Sequence, residues 1–325
     1  MGETHRSLDL ALYDFDLRSP TAEVVAGAIV DAERRGAAVR LAFNVDSEKP
    51  PPLFPPPQGE PTLIDSLDVP TKAIPGVPDL MHHKYAIRDG EAVWTGSTNW
   101  TDDSWSRQEN VIVVAESPAV AALYTSDFEQ LWETGSVAES GFVEPNPVRV
   151  DGHRVRAWFC PGRGESLATR VAQRVKKARQ RVRVCSPVLT SGPILAALAE
   201  RVSAGGLDVA GVVDGTQMEG VYYQWKLSGN AAWKLPLVGR VFGSAPFAGK
   251  RSTPYGQGDV HDFMHAKITV ADDIVFTGSY NLSRSGEQNA ENVLEVRDPE
   301  LAERMAAWID GVRARYPAAP VPTPA

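Results

Sequence analysis

The chain has 325 residues, of which 43% are hydrophobic, 8% aromatic and 23% charged, and its formal net charge is −8. A chain of this length can bury a core without disulfides, so the composition excludes a disulfide scaffold, a fibrous repeat and a wholly disordered chain. No apolar run approaches the roughly eighteen residues of a membrane span, and the start lacks the apolar core of a signal peptide. We therefore expect a cytoplasmic protein with no transmembrane segment, or one whose N-terminus has been trimmed.

The predicted elements follow one another in two similar runs. In the first run, the apolar pattern predicts a strand over 8–15, an amphipathic helix over 21–36 that ends at Gly36, and a buried strand over 39–46. The second run has the same order: a strand over 182–188, a helix over 192–206 and a strand over 207–214. Each run continues with a strand pair, a further strand and a closing helix, and the closing helices cover roughly 118–134 and 299–315.

Strands that alternate with helices predict an α/β fold with mixed sheets flanked by helices. The Gly, Pro and Asn residues around 135–150 are typical of a linker. We therefore predict two similar halves, residues 1–145 and 146–325. The second half has an additional helix over 165–180 whose counterpart would precede residue 7, so we expect that the natural chain or its ancestor began further upstream.

Two long segments interrupt this repeat, and we predict that both are loops. Residues 47–80 carry ten prolines, and the stretch 50–57 could be a polyproline docking ligand or a stiff loop beside a cleft. Residues 215–262 are richer in aromatic side chains. Within 222–251, rings alternate with cations: Tyr222, Tyr223, Trp225, Lys226, Trp233, Lys234, Arg240, Phe242, Phe247, Lys250 and Arg251. Such a mixture suits peripheral contact with a membrane, stacking of single-stranded bases, or simple packing over a core.

The strongest signal is a polar motif that occurs twice. Both copies read His-x-Lys-x4-Asp, then Gly-Ser-x-Asn, then a Glu ten residues further on. The copies span 82–99 and 265–281. The matched pairs are His82 with His265, Lys84 with Lys267, Asp89 with Asp272, Ser97 with Ser279, Asn99 with Asn281, and Glu109 with Glu291. The His and Lys pairs are 183 residues apart and the Asn and Glu pairs 182, so the second copy lacks one residue.

These residue types suit a tetrahedral anion. Alternate side chains of a strand share a face, so His82 and Lys84 project together while His83 points away, as a packed or surface residue. Lysines supply charge, Ser and Asn supply neutral donors, and glycine lets the backbone approach a bound anion. One imidazole can attack phosphorus and a second can protonate the leaving oxygen. Glu109 and Glu291 are the candidates for carboxylates that orient the two imidazoles.

The doubled motif resembles that of the phospholipase D superfamily, and the resemblance extends from about residue 7 to residue 315. It implies one active site between the two halves, a phosphohistidine intermediate, and no metal or other cofactor. By position, His82 would be the nucleophile and His265 the acid. Four residues would grip the phosphate: Lys84, Lys267, Asn99 and Asn281. Ser97 and Ser279 would support these residues.

The resemblance also assigns the motif aspartates. Asp89 and Asp272 would hold the motif strands in place rather than touch the substrate. In the second copy, the pair Asp272 and Asp273 leaves open which of the two does so. Because both motif copies lie on one chain, a monomer should suffice for activity.

The sequence predicts the reaction better than the substrate. A phospholipid is the first candidate, and hydrolysis and transfer to an alcohol are both open. A nuclease acting on DNA or RNA by the same mechanism is the alternative, because Gly-Ser-x-Asn followed by Glu-Asn is similar to the nuclease-like branch of the superfamily. A phosphate-binding module without catalysis is a third class, and the intact histidines argue against it.

Overall fold

The computed structural model describes residues 1–18, 20–45, 61–254 and 261–322. The elements of the first half are β1 (Ser7–Leu12), β2 (Phe15–Asp16), α1 (Thr21–Arg34), β3 (Ala38–Val45), α2 (Pro61–Asp65), β4 (Thr71–Pro75), β5 (Lys84–Arg88), β6 (Ala92–Gly96), β7 (Trp100–Thr101), α3 (Asp102–Ser106), β8 (Ile112–Glu116) and α4 (Pro118–Thr134).

The elements of the second half follow in a similar order. They are β9 (Val148–Val150), β10 (His153–Cys160), α5 (Gly164–Lys177), β11 (Arg181–Ser186), α6 (Gly192–Ala204), β12 (Asp208–Asp214), α7 (Gly215–Ser228), α8 (Leu235–Ser244), β13 (Phe247–Lys250), β14 (Ile268–Ala271), β15 (Ile274–Gly278), α9 (Arg284–Gln288), β16 (Glu291–Arg297) and α10 (Pro299–Arg313).

Two mixed sheets repeat one topology. The strand order is β4-β3-β1-β5-β6-β8 in the first and β13-β12-β11-β14-β15-β16-β10-β9 in the second. In each sheet the first three strands are parallel and the motif hairpin is antiparallel. The predicted α/β fold with two similar halves is therefore confirmed. The second sheet is extended by the β9–β10 hairpin beyond β16.

Local sequence signals explain where the main helices begin and end. Gly36, with a φ of +92°, follows α1 and ends it as predicted. The closing helices begin alike, because a polar N-cap precedes a proline in both: Ser117 accepts from the Val120 amide, and Asp298 accepts from the amides of Glu300 and Leu301. No helix in the described ranges is both long enough and apolar enough to cross a bilayer.

The prediction of a loop over 215–262 is wrong for most of that segment. Residues 215–250 form α7, α8 and the edge strand β13, while residues 255–260 lie outside the described residues. Tyr222 of α7, Phe242 of α8 and Phe247 of β13 are buried in the core of the second half. Their packing stabilises regular structure in a segment whose polar residues are typical of a loop.

The prediction of a loop over 47–80 is also wrong in part, because Pro61–Asp65 forms α2 and Thr71–Pro75 forms the edge strand β4. The proline-rich stretch 50–57 lies outside the described residues.

One hydrophobic core belongs to both halves. It combines side chains of α4, among them Tyr124 and Phe128, with Phe159 of β10 and Leu294 of β16. Along the chain, β8 is the last strand of the first sheet and β9 is the first strand of the second sheet. Helix α4 lies between these two strands in sequence and packs on β10 of the second sheet. A boundary near residue 145 therefore stays a prediction, and the two halves share a packed interface.

The motif aspartates turn the chain after each motif strand. Asp89 and Asp272 have φ values of +56° and +54°, the left-handed region that aspartate tolerates better than most residues. The Asp89 carboxylate accepts the backbone N–H groups of residues 5–7, and the Asp272 carboxylate accepts those of residues 179–181. Asp273 instead pairs with Arg297 at 2.7 Å. Asp272 thus tethers the start of β11 to the β14–β15 turn.

We expect Asp272→Ala to lower the free energy of unfolding by about 2 kcal/mol or more, because it removes a charged acceptor of three backbone donors. Burial raises the pKa of Asp272, but the backbone donors outweigh it and lower that pKa overall. The stabilisation is therefore present at neutral pH and is lost as the pH falls through the lowered pKa. Urea denaturation at pH 7 and at about pH 3 measures both effects.

Asp273→Ala is the matched control, because it removes only an exposed ion pair and should cost about 0.5 kcal/mol. An equal loss of unfolding free energy in the two variants would show that the hydrogen bonds from the backbone to Asp272 add no more stability than an exposed ion pair.

Candidate active site

Each motif enters the site through backbone pairing with the other half. Met81 forms a bridge with Ala290, and Met264 forms the equivalent bridge with Glu109. The next residue in each motif is the histidine. The His82 amide donates to the Ala290 carbonyl at 2.9 Å, and the His265 amide donates to the Glu109 carbonyl at 3.1 Å. Both histidines are thereby fixed at the interface of the halves.

His82 is oriented by a carboxylate of the second half. Its Nδ1 lies 2.8 Å from Oε1 of Glu291, and both side chains are buried. The Ser279 hydroxyl donates to Oε2 of Glu291 at 2.5 Å. With Nδ1–H donated to the carboxylate, Nε2 of neutral His82 carries the lone pair. The expected pairing of Glu291 with an imidazole is therefore present.

His265 is oriented by an amide, Asn110, and the assignment of Glu109 to this role is wrong. Nδ1 of His265 lies 3.1 Å from Oδ1 of Asn110. The Asn110 Nδ2 group donates to the Ser104 carbonyl at 3.0 Å, which turns Oδ1 toward the imidazole, and the Ser97 hydroxyl donates to the same Oδ1 at 2.7 Å. His265 therefore donates from Nδ1 to a neutral acceptor.

The Glu109 side chain points away from His265. The second motif copy is shorter than the first by one further residue between the serine and the acceptor, so Glu291 corresponds to Asn110 and not to Glu109. Ser97 donates from its backbone to Val111, whereas Ser279 donates to Asn292, so Asn110 lies where Glu291 lies in the second half. Glu109 occupies the place of Ala290. Its carboxylate binds Lys250 Nζ at 2.7 Å and accepts from the Tyr316 hydroxyl.

The motif serines and glycines also have roles other than the predicted ones. Both serine hydroxyls bond the acceptors beside the histidines, so Ser97 and Ser279 position those acceptors rather than the lysines and asparagines. A Cβ at Gly96 or Gly278 would lie 2.1 Å from a carbonyl oxygen of the adjacent chain. The glycines therefore permit close approach to a neighbouring segment.

The two lysines are buried beside the histidines. Lys84 Nζ donates to the His82 carbonyl at 2.7 Å, and Lys267 Nζ donates to the His265 carbonyl at 2.5 Å. Burial lowers the pKa of Lys84 to about 7, and burial together with the charge of Lys84 holds the pKa of Lys267 well below its usual range. The site thus concentrates cationic groups and favours an anion between them.

Asn99 and Glu291 are also buried, and Asn281 is half-buried. Oδ1 of Asn99 and Oδ1 of Asn281 are buried and make no hydrogen bond within the part of the chain that the structure describes. Burial raises the pKa of Glu291 to about 7, although Lys84 acts in the opposite direction. Burial, with the charges of the two lysines, lowers the pKa of both His82 and His265. Both effects favour the neutral imidazole.

His83 points away from the site, as its place in the strand predicts. Its Nε2 lies 3.1 Å from Oδ2 of buried Asp127, and its Nδ1 accepts from Asn292 Nδ2 at 3.2 Å. Asn292 follows Glu291 directly. The residue equivalent to His83 in the second motif is Ala266, so this buried polar network supports only the Glu291 side of the site.

Tyr13 is a site residue that the motif search missed. Its ring packs edge-on against His82 at a centroid distance of 4.5 Å, and Lys84 Nζ lies 4.6 Å from the ring centroid. Tyr13 follows β1, and Leu12 of β1 pairs with Lys84. The signal that could have found it is this strand adjacency, which is a property of the sheet order.

Among the described residues, no group of three or more His, Cys, Asp or Glu side chains is placed to hold a metal ion. The predicted independence from metals stays a prediction. The arrangement brings together two imidazoles in different environments and two buried lysines.

Comparison with known proteins identifies the family of this chain. A family model described as cardiolipin synthase, PLD-like domain, matches residues 1–132 and 171–313. A mitochondrial cardiolipin hydrolase of Xenopus laevis is 31% identical over 137 residues, which are 42% of this chain and 60% of that protein. The human protein of the same name is 30% identical over 89 residues, 25% of this chain and 35% of that protein. The chain thus spans less than two thirds of either relative.

Solved structures support the fold. A phosphatidylserine synthase of Haemophilus influenzae has a TM-score of 0.64 at 11% identity, over 97% of this chain and 82% of that one. A polyphosphate kinase of Porphyromonas gingivalis has a TM-score of 0.58 at 13% identity, over 97% of this chain and 47% of that one. Since the family model matches both halves and each half carries one motif, the chain belongs to the phospholipase D superfamily.

Proposed function

We propose that this protein is a phosphodiesterase of the phospholipase D type, which hydrolyses a phospholipid through a phosphohistidine on His82. The observation that carries the proposal is the unequal support of the two imidazoles. His82 faces the carboxylate of Glu291, whereas His265 faces the neutral amide of Asn110. A carboxylate strengthens the partner imidazole as a nucleophile and stabilises the charge that it acquires, while an amide leaves a proton easier to give away.

In the first step, Nε2 of His82 attacks phosphorus and the bond from phosphorus to the leaving oxygen breaks. His265 donates its Nε2 proton to that oxygen, so the alcohol leaves neutral. The phosphoryl group is then attached to His82, and Glu291 holds the Nδ1 proton throughout. In the second step, neutral His265 removes a proton from water, the hydroxide attacks phosphorus, and the P–N bond breaks to release the phosphomonoester.

Substrate binding would let His265 take up from solvent the proton that this reaction sequence needs. The negative phosphodiester would lie among Lys84, Lys267 and the two imidazoles, and would raise the pKa of each cationic group. His265 and both lysines would then become protonated as the diester binds. The amides of Asn99 and Asn281 are the neutral donors beside them. Every group in this scheme belongs to one chain, so we propose that the monomer is active.

A cluster of exposed apolar side chains supports a phospholipid substrate. Tyr223, Leu227 and Trp233 are 65%, 70% and 61% exposed, and Tyr223 and Leu227 are one turn apart on α7. Lys226 and Lys234 lie in the same segment, and Lys234 Nζ donates to the Thr190 carbonyl at 2.9 Å. The Thr190 amide in turn donates to the carbonyl of Leu282, the residue after Asn281.

We call Tyr223, Leu227 and Trp233 the α7 patch. Aromatic and aliphatic side chains beside lysines favour the headgroup region of a bilayer. The names of the relatives, cardiolipin hydrolase and phosphatidylserine synthase, point to the same substrate class.

The two histidines can be told apart with bis(p-nitrophenyl) phosphate, whose leaving group needs no acid. We expect His265→Ala to release a burst of about one p-nitrophenol per enzyme and then stall, because the phosphohistidine forms but no base activates water. His82→Ala should give no burst. Stopped-flow absorbance measures both, with circular dichroism as the control for folding. A burst from His82→Ala and none from His265→Ala would reverse the assignment.

Asn110→Asp should shift the pH profile of kcat/KM. A carboxylate at Nδ1 raises the pKa of His265, so the protonated acid persists to higher pH and the alkaline limb moves up by about one unit or more. Glu109→Gln is the matched control, one residue away and directed at Lys250, and it should leave the limb in place. A shift with Glu109→Gln and none with Asn110→Asp would restore the assignment made from sequence spacing.

The substrate is tested with vesicles and with labelled single-stranded DNA and RNA, all in chelator. We expect the wild type to hydrolyse the vesicle lipid. Replacement of all three α7 patch residues by Ser should lower vesicle hydrolysis at least about tenfold, since each apolar side chain contributes to interfacial binding. Turnover of soluble bis(p-nitrophenyl) phosphate should stay unchanged.

Val24→Ser is the control, since Val24 is an equally exposed apolar residue on α1. Cleavage of nucleic acid alone would make the protein a nuclease with the same chemistry. Loss in chelator that a divalent ion restores would contradict the metal-free mechanism.

A further inference from the structure

A second concave site lies at the far end of the second sheet. It has a cavity volume of about 580 Å³ between the β9–β10 hairpin, the β14–β15 turn and the start of α10. Its lining residues include Arg149, Arg154, Arg297 and Asp273. β16 runs from Glu291 at the active site to Arg297 at this cavity, a distance of about 20 Å along the strand. The two sites are therefore separate.

Three arginines form one row across the strands of this cavity. Arg154 of β10 is directly opposite Arg149 of β9 on one side and Arg297 of β16 on the other. Like charges that face each other across a sheet are destabilising. Arg297 pairs with Asp273 at 2.7 Å, but within the described ranges no carboxylate lies within 4.0 Å of Arg149 or Arg154. The carboxylates in contact with the row therefore do not balance the charge of its three arginines.

Further arginines extend the same positive region. Arg156 of β10 and two arginines of α5, Arg170 and Arg174, gather around the single carboxylate of Glu295. Burial and neighbouring arginines lower the pKa of both Arg156 and Arg174. The chain as a whole has a net charge of −8, so this concentration of arginine is local. Such a region attracts anions from solution.

We propose that this cavity, which we call the arginine cavity, binds a phosphate-bearing anion at Arg149, Arg154 and Arg297. A guanidinium group presents paired N–H donors that match phosphate oxygens, and three in a row can bind one or two phosphates at once. The cavity volume suits a small phosphorylated molecule or a lipid headgroup rather than a nucleic-acid duplex. The bound phosphate would relieve the repulsion along the row and compete with Asp273 for Arg297.

The test maps which arginines a phosphate protects. Phenylglyoxal modifies accessible arginines, and peptide mass spectrometry measures the extent at each one. We expect inorganic pyrophosphate to protect Arg149, Arg154 and Arg297, but not Arg34, an exposed arginine on α1. A parallel arm uses vesicles of phosphatidylcholine with and without phosphatidic acid. Protection by pyrophosphate identifies a soluble ligand, and protection only by vesicles with phosphatidic acid identifies a lipid headgroup. Either result supports the proposal.

A variant gives the second readout. In Arg149→Ala/Arg154→Ala, the pyrophosphate concentration that half-protects Arg297 should rise at least about tenfold, the loss expected when two charged donors are removed. Arg34→Ala should leave it unchanged. Turnover of bis(p-nitrophenyl) phosphate should be unaffected, since the cavity is remote from His82. Absence of protection in both arms, or equal protection of Arg34, would overturn the proposal.

Discussion

The active-site geometry depends on the exchange of contacts between the two halves. Neither motif histidine is oriented by its own half: His82 needs Glu291, and His265 needs Asn110. The short bridges before each histidine cross in the same way, and the core around α4 and β10 holds the halves together. A half alone would present an imidazole without its partner. The orientation of both histidines therefore depends on the packing between the halves.

The buried side chains of the site also include more basic groups than carboxylates. Lys84 and Lys267 are both buried. Two buried carboxylates act on Lys84, those of Glu291 and Asp14, and burial raises the pKa of Glu291. Burying uncompensated ammonium groups is costly, which favours their neutral forms in the free site. In the proposed mechanism, a phosphodiester would bring the missing negative charge. Binding would then be coupled to proton uptake, and the group proposed as the acid would become protonated when the substrate is present.

Much of this architecture could be predicted from the sequence, because hydrophobic periodicity and the doubled motif are local signals. The helix ended by Gly36, the closing helices and the motif residues all follow from them. The partner of His265 could not be predicted, because Asn110 and Glu109 are adjacent and only the strand register decides between them. Tyr13 needed the sheet order, and the helices over 215–250 needed the core that buries Tyr222 and Phe242.

The two halves are alike in topology but unlike behind the histidines, and the proposed mechanism rests on this difference. Two identical imidazoles in identical surroundings would be distinguished only by the orientation in which the substrate binds between them. Here the carboxylate of Glu291 is supported by Ser279, and the next residue, Asn292, joins the buried network of His83 and Asp127. The other side has a neutral amide. Because this network lies behind only one imidazole, the proposed division of roles between His82 and His265 would follow from the residues that orient them.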